Sequence, residues 1–85
     1  MTRIERIRES LLRGFPDATL SLEDESHLHA GHAGASTGRG HFRLKIVSPA
    51  FKGLNPIARH RAVYAALGDM MQTDIHALSI DARDI

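Results

Sequence analysis

Apolar residues recur at Ile4, Ile7, Leu11 and Leu12, while Arg3, Glu5, Arg6, Arg8 and Glu9 fall mostly between them. Spacings of three and four make one apolar stripe of an amphipathic helix. Thr2 and Glu5 form a capping-box pattern at its start. Gly14 before Phe15-Pro16 predicts its end, with glycine in the left-handed cap and proline unable to continue the helix. Residues 18–24 then alternate, with Ala18, Leu20 and Leu22 on one side and Thr19, Ser21 and Glu23 on the other. This is the period of a half-buried strand. It returns over residues 41–48, where Phe42, Leu44 and Ile46 point inward and Arg43 and Lys45 outward.

Ser48-Pro49 and Asn55-Pro56 are both helix starts, a capping side chain followed by proline at the first helical position. The first predicts a single turn through Phe51, ending at Gly53. The second predicts a longer helix to about Gln72. Its apolar positions are Ile57, Tyr64, Leu67 and Met71, supported by Val63 and Met70. Gly68 falls inside that helix at a cost of about 1 kcal/mol against alanine. Residues 75–82 form a last strand with Leu78 and Ile80 on one face. The order is α-β-β-α-α-β. The first two strands are expected to pair antiparallel, and the second and third to run parallel through a helical crossover. The fold class is α+β, with helices covering one face of a three-stranded mixed sheet. Between the first two strands lies a polar loop, residues 24–40, with glycines at 31, 34, 38 and 40 and no apolar periodicity. A loop this long in a compact domain is typically functional or disordered.

Length changes the picture only by limiting it: 85 residues make one domain, 1–85. A net charge of +1 is too balanced for long-range attraction to nucleic acid or anionic lipid to follow from it alone, which leaves room for a local patch. Four aromatic residues, Phe15, Phe42, Phe51 and Tyr64, are too few for a base-stacking sheet. There is no cysteine, so the chain has no disulfide or thiolate and cannot hold a cluster or zinc through its own sulfur. No apolar run approaches the ~20 residues of a membrane span, and no signal-peptide pattern opens the chain. A cytoplasmic protein with no membrane partner is expected.

Six histidines are the unusual feature. His27, His29 and His32 share the glycine-rich loop, and His41 follows it. Imidazole is a common ligand for zinc, copper and iron, and spacings of two and three residues allow a metal without specifying one. A solvated, histidine-rich loop is the plainer alternative. His76 opens the last strand, and by alternation it shares a face with Leu78 and Ile80. It is either a half-buried strand-end residue or a ligand on a rigid element. His41, by the same alternation, lies opposite Phe42 with Arg43 and Lys45. Arg59-His60-Arg61 cannot all face one way on a helix, so one of them should pack or pair internally. With Lys52 they make either a solvated charged face or an anion-binding patch. No nucleophile triad or phosphate-binding glycine loop is present, and the carboxylates Glu23, Asp24 and Glu25 sit at a strand end with no positioned acid–base partner. The chain is not expected to be an enzyme.

The blocks His41-Phe42, Ile46-Val47-Ser48, Phe51-Lys52-Gly53, Arg59-His60-Arg61-Ala62-Val63-Tyr64 and Ile75-His76-Ala77-Leu78-Ser79-Ile80 resemble the BolA family in order and spacing. Asp24-Glu25-Ser26, ahead of the loop histidines, matches as well. The resemblance implies a fold like that of class II KH domains. The nucleic-acid clamp of such domains is a Gly-x-x-Gly turn, whereas Lys52-Gly53-Leu54-Asn55 lacks that motif, so RNA binding does not follow. The resemblance implies one of two roles. In the first, the chain partners a monothiol glutaredoxin and shares a [2Fe-2S] cluster in cluster assembly, transfer or iron regulation. His76 is then the strand ligand and His29 the loop ligand, with His32 and His41 as rivals. The glutaredoxin supplies its active-site cysteine and a glutathione thiolate. The isolated chain is a monomer without a cluster, and the complex is a heterodimer. In the second, the chain is a DNA-binding transcriptional regulator of stress response and cell morphology. Lys52, Arg59, His60 and Arg61 then contact phosphate, and Pro49 to Gln72 reads as helix-turn-helix. A plain zinc-binding or protein-interaction module needs only the loop histidines.

Overall fold

In the computed structural model, which describes residues 2–25 and 40–84, the helix α1 (Arg3–Gly14) leads into strands β1 (Thr19–Asp24) and β2 (Gly40–Val47). A single 3₁₀ turn (Pro49–Phe51) follows, then the helices α2 (Pro56–Leu67) and α3 (Met70–Thr73), then strand β3 (Ile75–Arg83). Local signals set the starts. The Thr2 hydroxyl accepts the Glu5 N–H, the Ser48 hydroxyl that of Ala50, and the Asn55 side-chain oxygen that of Ala58. Each satisfies a backbone donor that the first turn leaves without an internal partner.

The sheet order is β1-β2-β3. β1 runs antiparallel to β2, with Leu22 opposite Leu44; β2 runs parallel to β3, with Leu44 opposite Ile80. Phe42, Leu44 and Ile46 are buried and Arg43 and Lys45 exposed, so one face of the sheet is covered. Ile7 and Leu11 of α1 and Val63 and Leu67 of α2 complete the core against that face. Phe15 and Phe51 close one side, ring centroids 5.0 Å apart. The expected α+β architecture and mixed sheet are therefore present.

Three local expectations are corrected. Gly14 is not a left-handed cap: it is the last residue of α1, and a Cβ there would meet the Ala66 Cβ at 2.8 Å. Its missing side chain lets α1 approach α2. Gly68 does not sit inside a long helix. It ends α2 at φ 58°, a conformation glycine adopts without the usual Cβ penalty, and α3 is a separate turn. Ile57 and Tyr64 do not pack into the core: they are 64% and 41% exposed, and Val63 and Leu67 take the buried side of α2 instead.

Candidate functional site: a histidine pair at the head of the sheet

The β2–β3 ladder slips by one residue at its start. Gly40 pairs with Ile75, and the next residue, His41, pairs with Ala77. His76 is the extra residue on β3, so the ladder bulges there. A bulge re-aims a side chain and resets the alternation beyond it. Ile75 is fully buried and Leu78 packs against the core, with exposed His76 and Ala77 between them. His76 therefore does not share the buried side with Leu78 and Ile80, as strict alternation requires. It turns out to meet His41, ring centroids 5.0 Å apart and planes tilted by 48°. His41 is half-buried, with its Nε2 shielded from solvent, opposite Phe42 as expected. Of the two rings, His76 is the one open to a partner, and His41 braces it.

Both ends of the long loop are fastened beside this pair. The Glu25 N–H donates to the His41 carbonyl at 2.7 Å, and the Gly40 N–H to the Asp74 carbonyl at 2.9 Å. The Glu25 carboxylate lies 3.3 Å from the Arg43 guanidinium. His27, His29 and His32, including the expected loop ligand, lie outside the described residues. Among the described residues no three His, Cys, Asp or Glu side chains converge on a metal position.

Asp74, two residues before His76, was not singled out by the sequence. Every polar group it owns is engaged. Its N–H donates to the Met70 carbonyl and its carbonyl accepts from Gly40. Oδ1 accepts from Arg6 at 2.8 Å and from Arg3 at 3.3 Å; Oδ2 accepts the Thr73 hydroxyl at 3.0 Å. Burial pushes the Asp74 carboxyl up. The Thr73 hydrogen bond and the Arg6 and Arg3 guanidinium groups outweigh it and hold the group below its ordinary value.

The basic set divides. Arg59 is the member that turns inward: its Nε donates to the Leu54 carbonyl at 2.8 Å and its Nη1 to the Ala82 carbonyl at 3.1 Å, with Asp84 at 3.7 Å. Its guanidinium bridges the turn before α2 to the end of β3. Lys52 and Arg61 are exposed and His60 is half-buried. The first element of the expected helix-turn-helix is only the three-residue 3₁₀ turn.

A model of the family described as BolA-like protein matches residues 11–84. The chain belongs to the BolA family. It is 44% identical over 84 residues to Protein BOLA1, chloroplastic, of Arabidopsis thaliana, covering 95% of this chain and 52% of that protein. It is 43% identical over 83 residues to SufE-like protein 1, chloroplastic/mitochondrial, of the same plant, covering 92% of this chain and 22% of that one. The chain thus spans about half of the first relative and about a fifth of the second. The solved BolA domain of SufE1 from Arabidopsis thaliana superposes with a TM-score of 0.84 at 42% identity, covering 99% of this chain and 93% of that one. BolA1 from Arabidopsis thaliana gives 0.81 at 38% identity, with the same coverage. Among the described residues, no helix of this BolA chain is long and apolar enough to cross a membrane.

Proposed function

We propose that this BolA chain is a non-enzymatic partner of a monothiol glutaredoxin, sharing a [2Fe-2S] cluster with it in cluster assembly, transfer or iron regulation. The observation that carries this reading is the His41–His76 contact at the head of the sheet. His76 is exposed on a strand, braced by a second ring, beside both fastened ends of a histidine-bearing loop. A chain without cysteine offers a cluster no thiolate, so with imidazole nitrogen it supplies only a share of the ligands. His76 is the strand ligand. His29 is the loop ligand of first choice, with His32 next; the shielded Nε2 of His41 suits it to bracing. The glutaredoxin cysteine and a glutathione thiolate complete the set. Histidine ligation raises the potential of such a cluster, and only neutral imidazole ligates, so acid weakens the complex. Regulation through DNA would draw on Lys52, His60 and Arg61. The internal engagement of Arg59 counts against that alternative.

The test is reconstitution with a monothiol glutaredoxin, iron, sulfide and glutathione, followed by visible absorption and circular dichroism. The expected result is a spectrum distinct from that of the glutaredoxin alone, lost in His76→Ala and altered in His29→Ala. An unchanged glutaredoxin spectrum with no complex overturns the reading, and salt-dependent DNA binding then becomes the next measurement.

A further inference from the structure

Two features of the site need a cause: the bulge that frees His76, and the closeness of the His41 ring. The strand pairing alone does not account for them, because the ladder is irregular at this point. What holds the backbone on either side of the irregularity is Asp74. Its carbonyl fixes Gly40, the residue before His41, and its own chain continues through Ile75 to His76. Asp74 thus sits where β2 and β3 begin, bonded directly to His41's neighbour Gly40 and two residues before His76. Its side chain is tied in turn to α1 by Arg6 and Arg3.

We propose that Arg3, Arg6 and Asp74 form a clamp that positions the His41–His76 pair. The Asp74 side chain is 13% exposed and anchored on both carboxylate oxygens, so it cannot rotate without giving up several charge-assisted bonds. The two arginines lie on α1, whose buried face is locked into the core through Ile7 and Leu11. The orientation of His76 is therefore referred to the helical layer as well as to the sheet. Groups that orient a ligand without touching the metal commonly matter about 10–100-fold in affinity. These three are positioning residues: none reaches the imidazoles. The importance of the clamp for ligation rests on the shared-cluster reading, whereas its effect on the ring geometry does not.

The test separates these two. Arg3→Gln/Arg6→Gln removes the α1 side of the clamp at two part-exposed side chains, so the fold should survive; Asp74→Asn removes the charge from the other side. In the isolated chain, the contact between the His41 and His76 rings is read by NMR as the inter-ring nuclear Overhauser effect and the imidazole chemical shifts. In the reconstituted glutaredoxin complex, cluster affinity is read by circular dichroism, and thermal melting is recorded in parallel. The expected result is an inter-ring effect weakened several-fold in both variants, with about ten-fold weaker formation of the mixed cluster. Inter-ring contacts that stay unchanged while the melting temperature falls overturn the proposal, since the clamp would then support stability alone. If the ring contact weakens but the wild type forms no mixed cluster, the clamp stands and the shared-cluster reading fails.

Discussion

Gly14→Ala places a methyl group where α1 and α2 leave no room. The new Cβ would lie 2.8 Å from the Ala66 Cβ and 3.7 Å from its Cα. Carbon atoms settle at about 3.5–4.0 Å, so the pair is too close by roughly 1 Å. Ala66 has no rotamer through which to retreat, and its carbonyl is held by the Ser10 hydroxyl at 2.6 Å. Against this, alanine in a helical position gains up to about 1 kcal/mol over glycine, and φ at Gly14 is not positive. Overfilling a packed contact costs about 1–3 kcal/mol. The clash is the larger effect, and a net loss of about 1–2 kcal/mol is expected. A domain of this size shifts by about 4–8 °C per kcal/mol, so the melting temperature should fall by about 5–15 °C. Thermal and urea unfolding followed by circular dichroism measure this directly. The double variant Gly14→Ala/Ala66→Gly moves the methyl to the other helix and should be more stable than Gly14→Ala, a coupling expected for residues in contact. A rise in melting temperature for the single variant, or a double variant less stable than it, would refute the reasoning.

Arg59→Ala should cost about 1–3 kcal/mol in urea unfolding, because two backbone carbonyls lose a charged donor. Arg61→Ala, with no such partners in the described structure, should stay within about 0.5 kcal/mol; equal losses would contradict the division of the basic set. The pH dependence follows from Asp74, whose carboxyl titrates lower in the folded chain than its ordinary 3.8. A depressed folded value means that the unfolded chain takes up the proton first. The contribution is therefore fully present well above pH 3.8 and is lost as pH falls through that value toward the folded one. Urea titrations between pH 7 and 3 should show wild-type stability falling below about pH 4, with a shallower fall in Asp74→Asn. Parallel slopes for the two proteins would exclude this source.

Where an interaction is local, the sequence carried it. The caps at Thr2, Ser48 and Asn55 act within three residues, and the alternation around Leu22, Leu44 and Ile46 reports which side of a pleated strand meets the core. The parts that were not legible depend on distant neighbours. The run past Gly68 into Met70 and Met71 keeps a helical pattern, and only the backbone turn at Gly68 reveals two helices. Ile57 and Tyr64 look apolar enough for the core, but Val63 and Leu67 already fill that side of α2. His41 and His76 were both visible as candidates. Their contact was not, because a bulge breaks the two-residue period that placed His76 beside Leu78. Asp74 gave no signal at all: its partner Arg3 lies 71 positions away.

That separation bears on how the site comes into being. β2 cannot pair with β3 until the intervening helices have swung the chain back, and α1 cannot grip Asp74 until then either. Contacts between such distant positions delay folding, because loop-closure entropy is lost before they form. An emerging polypeptide would carry His41 long before His76 had anywhere to dock. The histidine pair exists only once β2 and β3 are paired, so a partner that recognises it would select chains with a completed sheet over nascent or partly unfolded ones.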